Sequence, residues 1–473
     1  MKENLKIAWR NLWRNRRRTM ITAASVFFAV FFAAVMRSYQ LGAYDHMISA
    51  FIESFSGYIQ VQHAEYQDNP SIDYSFIYSD SSVLAISSAG NIVSVAPHLE
   101  SFALASNGSQ SKGVAILAVD PEKEKKFSDP EKKLVRYRIT DESVNRMAES
   151  GIFPDAVIRK LKENTGRAYS SRARVELELG LSQADAGRFI PEILRFCEVQ
   201  NGYFGENDNG VILSERLAGY LKANIGDTVI LIGQGFRGAS AAGLFPVRGI
   251  IRMPSPDIDN RLVLMTLKTA QYFFDAPERI TSLAINLNKR SEKIIQKSRD
   301  EINEMLKGTV TTARTWYELN PVLYQQIQGD SQSGMAMLGI LYFIIFFGIF
   351  GTVLMMVAER KREFGVLIAI GMQKRKLKRI IISEMAMLGT LGLSAGLAAS
   401  APLIIYFYYH PIILKGEIGK MMEDFGWDAV MPAAWFGPYF YWQALIVGII
   451  VLLAIIYPLR KIGKLKEIDA LRS

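Results

Sequence analysis

Residues 358–379 read AERKREFGVLIAIGMQKRKLKR and lie between two long apolar runs, Gly334–Val357 and Ile380–Phe407. Each run exceeds the roughly 20 helical residues that cross a hydrocarbon core about 30 Å thick. The charged stretch is therefore a connector between two membrane spans. It carries eight basic residues against two acids, Glu359 and Glu363, and an excess of Lys and Arg marks the cytoplasmic side of a span. Between its two basic clusters sits a compact apolar segment, Phe364 to Met372, punctuated by Gly365 and Gly371. That pattern predicts a short helix with one apolar face. A plain basic loop resting on anionic headgroups would account for the charges, but not for the ordered glycines and paired acids.

Working outward, residues 1–18 place Leu5, Ala8, Trp9 and Leu12 at helical spacing, while Lys6, Arg10 and Arg14 take every fourth position. This predicts an amphipathic helix on the inner leaflet, with Leu5, Trp9, Arg10, Leu12 and Trp13 as its characteristic residues. Thr19–Met36 is free of charge and gives a first span at 19–40. A cleaved leader is the alternative, but no small-x-small site stands clear after the run. Residues 41–330 hold no run long enough to cross a bilayer and form one extracytoplasmic region. Strand patterns occur at Gly57–His63, Val114–Val119, Thr228–Ile232, Pro246–Met253, Leu262–Leu267 and Ser282–Asn286, and helical ones at Val211–Ala223, Lys268–Phe274 and Ser291–Leu306. A charged, helix-favouring insert at about 132–196 separates the halves.

Spans two and three follow at 334–357 and 380–407, joined by the 358–379 connector. An external loop at 408–437 and an interfacial aromatic cluster, Phe436 and Tyr439–Trp442, lead into a fourth span at 438–459 and a basic tail at 460–473. The expected fold is thus a membrane α-helical part of four transmembrane helices, with a large α+β extracytoplasmic domain inserted between helices 1 and 2. Both termini then lie in the cytoplasm. In span three, Glu384 lies about 7 Å above Arg379 along the helix. There it snorkels or pairs with a basic neighbour, with a proton or conformational role as the alternative. Gly389, Gly392 and Gly396 form a stripe of small residues that permits close helix packing.

The net charge of +9 could suggest nucleic acid, but its distribution argues otherwise. Residues 1–18, 358–379 and 460–473 together hold 20 basic and 5 acidic groups, leaving 35 basic and 41 acidic elsewhere out of the chain's 55 and 46. The excess follows membrane topology, so nucleic acid is not an expected partner. Cys197 is the one cysteine, which excludes an internal disulfide. No GxxxxGK[ST] loop, GxSxG elbow or HExxH motif occurs. The four histidines, His46, His63, His98 and His410, lack metal-ligand spacing. Neither an enzyme site nor a resident metal or cofactor is expected in this chain.

The order Glu359, Arg360, Glu363, Phe364, Gly365, Leu367, Ala369, Ile370, Gly371, Met372 resembles the coupling loop of FtsX/MacB-type (type VII) ABC permeases. In that family the short helix after the second span docks on a separate ATPase subunit, which carries ATP and magnesium. The resemblance implies ATPase coupling through Glu359, Arg360, Arg362, Glu363, Phe364, Gly365, Leu367, Ala369, Gly371 and Met372. VILSERLAGYLKANIGDTVIL at 211–231, with FPVRGIIR and LMTLKTAQYFF after it, is similar to the MacB-like periplasmic core domain. The pattern comes nearest to the lipoprotein-releasing LolC/LolE-like branch, and the 132–196 insert departs from it.

In one subunit of that branch a protruding loop hooks a periplasmic carrier. The equivalent stretch here is Gly233–Phe245, GQGFRGASAAGLF. Its simplest reading is a flexible hairpin loop, and Phe236, Arg237, Leu244 and Phe245 are candidates for carrier contact. The family further implies a multi-pass inner-membrane protein acting with a second permease copy or paralogue, amid membrane lipid, by mechanotransmission. Lipoprotein release is the first expectation, and efflux of a peptide or drug through an external adaptor the second. Activation of a cell-wall hydrolase without transport is the third.

Overall fold

The computed structural model describes residues 2–14, 16–52, 56–88, 90–205, 208–253, 255–414, 416–424 and 430–463. The part of the basic tail beyond residue 463 lies outside the described residues. The chain divides into two compact units, one made of residues 1–46, 325–412 and 430–473, the other of 47–324 and 413–429.

In the first unit, α1 (Lys2–Arg14) precedes four helices long and apolar enough to cross a membrane: α2 (Arg16–Phe51), α3 (Pro321–Glu359), α5 (Lys374–Tyr409) and α6 (Pro438–Gly463). The short α4 (Lys361–Ala369) lies between α3 and α5. The four predicted spans are all present, but α2 and α3 run well past the predicted limits. At 1.5 Å per residue a 36-residue α2 is about 54 Å long, beyond the apolar core of a bilayer. The apolar run marks where lipid would begin and end. Nothing at Arg37 or Asp330 breaks the helices.

The small-residue stripe has an internal use. A Cβ on Gly392 would lie 2.6 Å from Val26 Cβ and 2.8 Å from the Ala23 carbonyl. One on Gly396 would lie 2.9 Å from the Phe27 carbonyl, and one on Gly389 3.3 Å from Val451. Gly392 and Gly396 therefore bring α5 against α2, while Gly389 meets α6. Ser38 continues the packing near the other end of α2, where its hydroxyl donates to the Ala434 carbonyl at 2.9 Å.

In the second unit, nine strands are used below: β1 (Ile59–His63), β2 (Ile92–Asn107), β3 (Gln110–Val119), β4 (Val211–Ser214), β5 (Thr228–Gln234), β6 (Ser240–Ile251), β7 (Leu262–Thr266), β8 (Ser282–Leu287) and β9 (Thr311–Thr315). They form one mixed sheet in the order β9-β1-β8-β2-β3-β7-β4-β6-β5. The long β2 pairs with β8 through its first half and with β5 through its second, Leu104 opposite Ile232. That last pairing closes β2, β3, β7, β4, β6 and β5 into a barrel, which removes the open edges of those strands. Its interior holds Ala103, Ala105, Val114, Ile116, Val229, Leu231, Val247 and Val263.

Two sequence expectations fail here. Val211–Ala223 is not one helix: Val211–Ser214 is a buried strand, and the helix begins at Glu215. A run of apolar residues buried on both faces has no strand period to betray it. Nor is 233–245 a flexible loop. β5 and β6 leave only residues 235–239 between them, and these are tied down. Phe236 N–H donates to the Phe274 carbonyl at 2.8 Å, Arg237 N–H to Asp73 at 2.6 Å, and the Arg279 guanidinium sits 4.1 Å above the Phe236 ring. Phe245 is buried, whereas Arg237 and Leu244 are exposed. The small residues serve close approach rather than motion: a Cβ on Gly233 would come within 2.9 Å of the Phe102 carbonyl.

The insert is a helical subdomain with its own core, in which Ile139, Met147, Leu161, Tyr169, Leu179, Ile190 and Cys197 are buried together. Burial pushes the Cys197 thiol above its ordinary range, which disfavours the reactive thiolate.

Candidate functional site

The predicted helix forms as α4. Phe364 and Ile368, four apart on one face, are buried against Val357 of α3, Leu377 and Ile381 of α5 and Ile462 of α6. The helix stops at Gly371. This residue has φ +103°, and its N–H donates to the Ile368 carbonyl at 3.0 Å while Met372 N–H donates to the Leu367 carbonyl at 2.9 Å. This double bond from a left-handed glycine is a Schellman stop. The chain is then released straight into α5. Val366 and Ile370 point outward, Ile370 being 80 % exposed.

Four charged side chains and one amide tie this helix to its neighbours. Arg360, the N-cap of α4, donates from Nη1 to both carboxylate oxygens of Glu384 on α5, at 3.1 and 2.9 Å. Asn11 of α1 donates to the same carboxylate at 2.6 Å. Arg360 Nε reaches Glu363 at 3.3 Å, and Arg14 of α1 reaches the same Glu363 oxygen at 2.6 Å. The Arg360 guanidinium also lies over the Phe364 ring at 5.2 Å.

The Glu384 side chain is 1 % exposed and that of Arg360 18 %, so this half of the clasp is shielded from water. The Glu363 half is not. Burial alone would raise the Glu363 carboxyl, but hydrogen bonds from Arg14 and Arg360 outweigh it and hold the group below its ordinary range. α1, α4 and α5 are thus joined through one continuous chain of charged hydrogen bonds. Alongside it runs a groove of about 790 Å³, lined among others by Ile7, Asn11 and Arg14 of α1 and by Glu363, Val366, Leu367 and Met372.

Of the residues expected to couple, Arg360, Glu363, Phe364, Gly371 and Met372 have these definite places. Gly365 is buried, Leu367 half-buried, and Glu359, Arg362 and Ala369 are exposed. Glu384 joins the same cluster, its carboxylate paired with the basic neighbour Arg360. The α1 expectation needs dividing. Leu12 and Ala8 are buried, and Leu12 packs with the spans, whereas Trp9, Arg10 and Trp13 are exposed. The side chain of Leu5 lies outside the described residues. Asn11 was not singled out by sequence, and Arg14 only as one of the basic positions of α1. Their three-residue spacing puts them on one helix face, but nothing in the sequence says that the facing residues are Glu384 and Glu363.

Residues 335–466, spanning α4 and the clasp residues Arg360, Glu363 and Glu384, match the family described as FtsX-like permease C-terminal. The match covers 132 of the 473 residues and describes that C-terminal part of the chain. Permeases of this type are membrane subunits of ABC transporters. Among solved structures the chain aligns with the extracellular domain of the noncanonic ABC-type transporter YknZ from Gram-positive bacteria. That alignment has 11 % identity and TM-score 0.29, and covers 54 % of this chain and 99 % of that one. It also aligns with the periplasmic region of MacB from Actinobacillus actinomycetemcomitans at 12 % identity and TM-score 0.30, over 59 % and 95 % of the two chains. At those scores neither alignment bears on the second unit. No curated protein matches the chain. Among the described residues no group of His, Cys, Asp and Glu is placed to hold a metal.

Proposed function

We propose that the chain works as the permease of a mechanotransmitting ABC transporter, in which a separate cytoplasmic ATPase docks on α4 and its flanking basic clusters. The clasp carries this reading. A partner pressing on the exposed Val366–Ile370 edge pushes a helix that is not free to slide, because Arg360 and Glu363 hold it to α5 and α1. Displacement of α4 therefore becomes displacement of α5, and through Gly392 and Gly396 of α2. Basic clusters on either side of α4 suit an acidic cleft and a cytoplasmic location in an inner membrane, with both termini inside. A second permease copy or paralogue completes the machine. The nucleotide and magnesium belong to the ATPase.

Lipoprotein release stands first among the cargoes, on the resemblance around 205–275. Efflux through an external adaptor stands second, and the tied-down 235–239 turn favours it, since that turn lacks the reach of a hook on a carrier. Activation of a cell-wall hydrolase is third. Mass spectrometry of the gently solubilised, tagged chain separates them: triacylated lipoproteins, an adaptor with an outer-membrane channel, or a hydrolase would each select one reading. Recovery without any ATP-hydrolysing subunit would contradict all three.

A further inference from the structure

The geometry points to α1 as the second wall of the ATPase seat: its Ile7, Asn11 and Arg14 flank and α4 together form a groove that takes an apolar side chain of the ATPase with a carboxylate beside it. This inference rests on the ATPase docking proposed above and adds a helix to its site. At about 100° per residue, α1 has three flanks. Ala8 and Leu12, 0 and 4 % exposed, make the buried one. Trp9 and Trp13, with ring centroids 5.7 Å apart, make an exposed one. Ile7, Asn11 and Arg14 make the third, which lines the groove and lies roughly 150° around the helix from the tryptophans. Tryptophans on a helix at a leaflet sit at headgroup level, so the third flank is turned from lipid toward water. It nevertheless carries Ile7, 39 % exposed, beside the exposed Arg10 and Arg14. A helix that only rests on a membrane puts polar groups there. Across the groove from Ile7 lie Val366, 41 % exposed, and the half-buried Leu367 and Met372.

The occupant follows from position and charge. Lipid belongs to the tryptophan flank, which leaves a partner from the water side for the groove. Val366 lies both in the groove and on the edge of α4 that the ATPase presses, so the two surfaces are continuous. On the three helices that line the groove, the exposed charges near it are Arg10, Arg14, Arg362 and the cations at 375, 376 and 379, against Glu359 and Glu363. That excess calls for a carboxylate on the partner. Arg14 is the cation best placed to meet it. Its bond to Glu363 joins side chains that are 58 and 49 % exposed, and such exposed pairs contribute little. A partner carboxylate can therefore take Arg14 while Glu363 keeps its bond from Arg360 at 3.3 Å. The shielded Arg360–Glu384 half of the clasp stays closed throughout.

The test uses the full-length chain in its native membrane, against a background in which the native Cys197 is 3 % exposed. Ile7→Cys, Trp9→Cys and Ile370→Cys are made singly, labelled with benzophenone maleimide and irradiated, and what is captured is identified by mass spectrometry. Ile7→Cys and Ile370→Cys should both capture a polypeptide that carries a GxxxxGK[ST] loop, and Trp9→Cys should not. In parallel, Ile7→Asp should lower the ATPase activity recovered with the tagged chain by at least about tenfold, and Ile7→Leu should retain it. Capture at Ile370→Cys but not at Ile7→Cys would overturn the α1 wall and leave docking on α4 standing. Capture at neither position would overturn both. Lipid adducts at Ile7→Cys in place of that polypeptide, or equal capture at Ile7→Cys and Trp9→Cys, would overturn the assignment of the groove. Undiminished recovery with Ile7→Asp would overturn the apolar contact.

Discussion

Replacing Arg360 with Met leaves Glu384 in place with its main counter-charge gone. At nitrogen–oxygen distances of 2.9 and 3.1 Å, two unit charges attract by about 5 kcal/mol at an effective dielectric constant of ~20. While the pair is intact, desolvation offsets much of that. With one partner removed, a carboxylate that is 1 % exposed is left uncompensated, and the loss is about 3–5 kcal/mol. Asn11→Ala takes away a single donor at 2.6 Å and should cost about 1–3 kcal/mol. The double variant Arg360→Met, Glu384→Leu replaces the pair by apolar side chains and should return to within about 1–2 kcal/mol of the parent. Reversible unfolding in mixed micelles, followed by tryptophan fluorescence, measures all three. If the double variant is no more stable than Arg360→Met alone, Arg360 and Glu384 are not coupled and the clasp is an accident of geometry.

The outer half of the clasp should respond to acid. Glu363 is held below its ordinary range by Arg14 and Arg360 against the opposing effect of burial. Its contribution is therefore present above the unfolded value near 4.3 and is lost as pH falls through the lower folded value. Since the Glu363 side chain is 49 % exposed, solvent limits the effect to under about 1 kcal/mol, and Glu363→Gln should remove that part of the pH dependence as pH falls below the unfolded value. Gly392→Ala forces a Cβ to within 2.6 Å of Val26 and should cost about 1–3 kcal/mol, while Gly339→Ala, with nothing within 4 Å, should be neutral or stabilising in the same unfolding measurement. Gly371→Ala places a side chain at φ +103° and should cost about 1–2 kcal/mol, read alongside loss of protease protection at 370–373.

The membrane part was legible in the sequence because its signals are one-dimensional. Runs such as Gly334–Val357 need only be counted, and Gly371 announces a helix end that only glycine tolerates. What could not be read is who meets whom. Arg360 and Glu384 are 24 positions apart and Asn11 and Glu384 373 apart, and no local pattern encodes such pairings. The barrel was hidden for a related reason. Its closure depends on Leu104 finding Ile232 across an intervening helical insert. Its small interior residues, among them Ala103, Ala105 and Ala241, imitate the composition of a loop. Val211–Ser214, buried throughout, passed for the first turn of the helix that follows it.

The central claim is that an ATP-hydrolysing subunit seats on α4. Ile370 is 80 % exposed at the end of that helix, so Ile370→Asp leaves the fold intact while placing an acid where an apolar contact and basic surroundings are needed. The measurement is ATPase activity recovered with the tagged chain from mildly solubilised membranes, normalised to the amount of chain. The account predicts that the parent carries an ATPase with it and that Ile370→Asp reduces the recovered activity by at least about tenfold, or roughly 1.4 kcal/mol of binding. Equal recovery with parent and variant would contradict it.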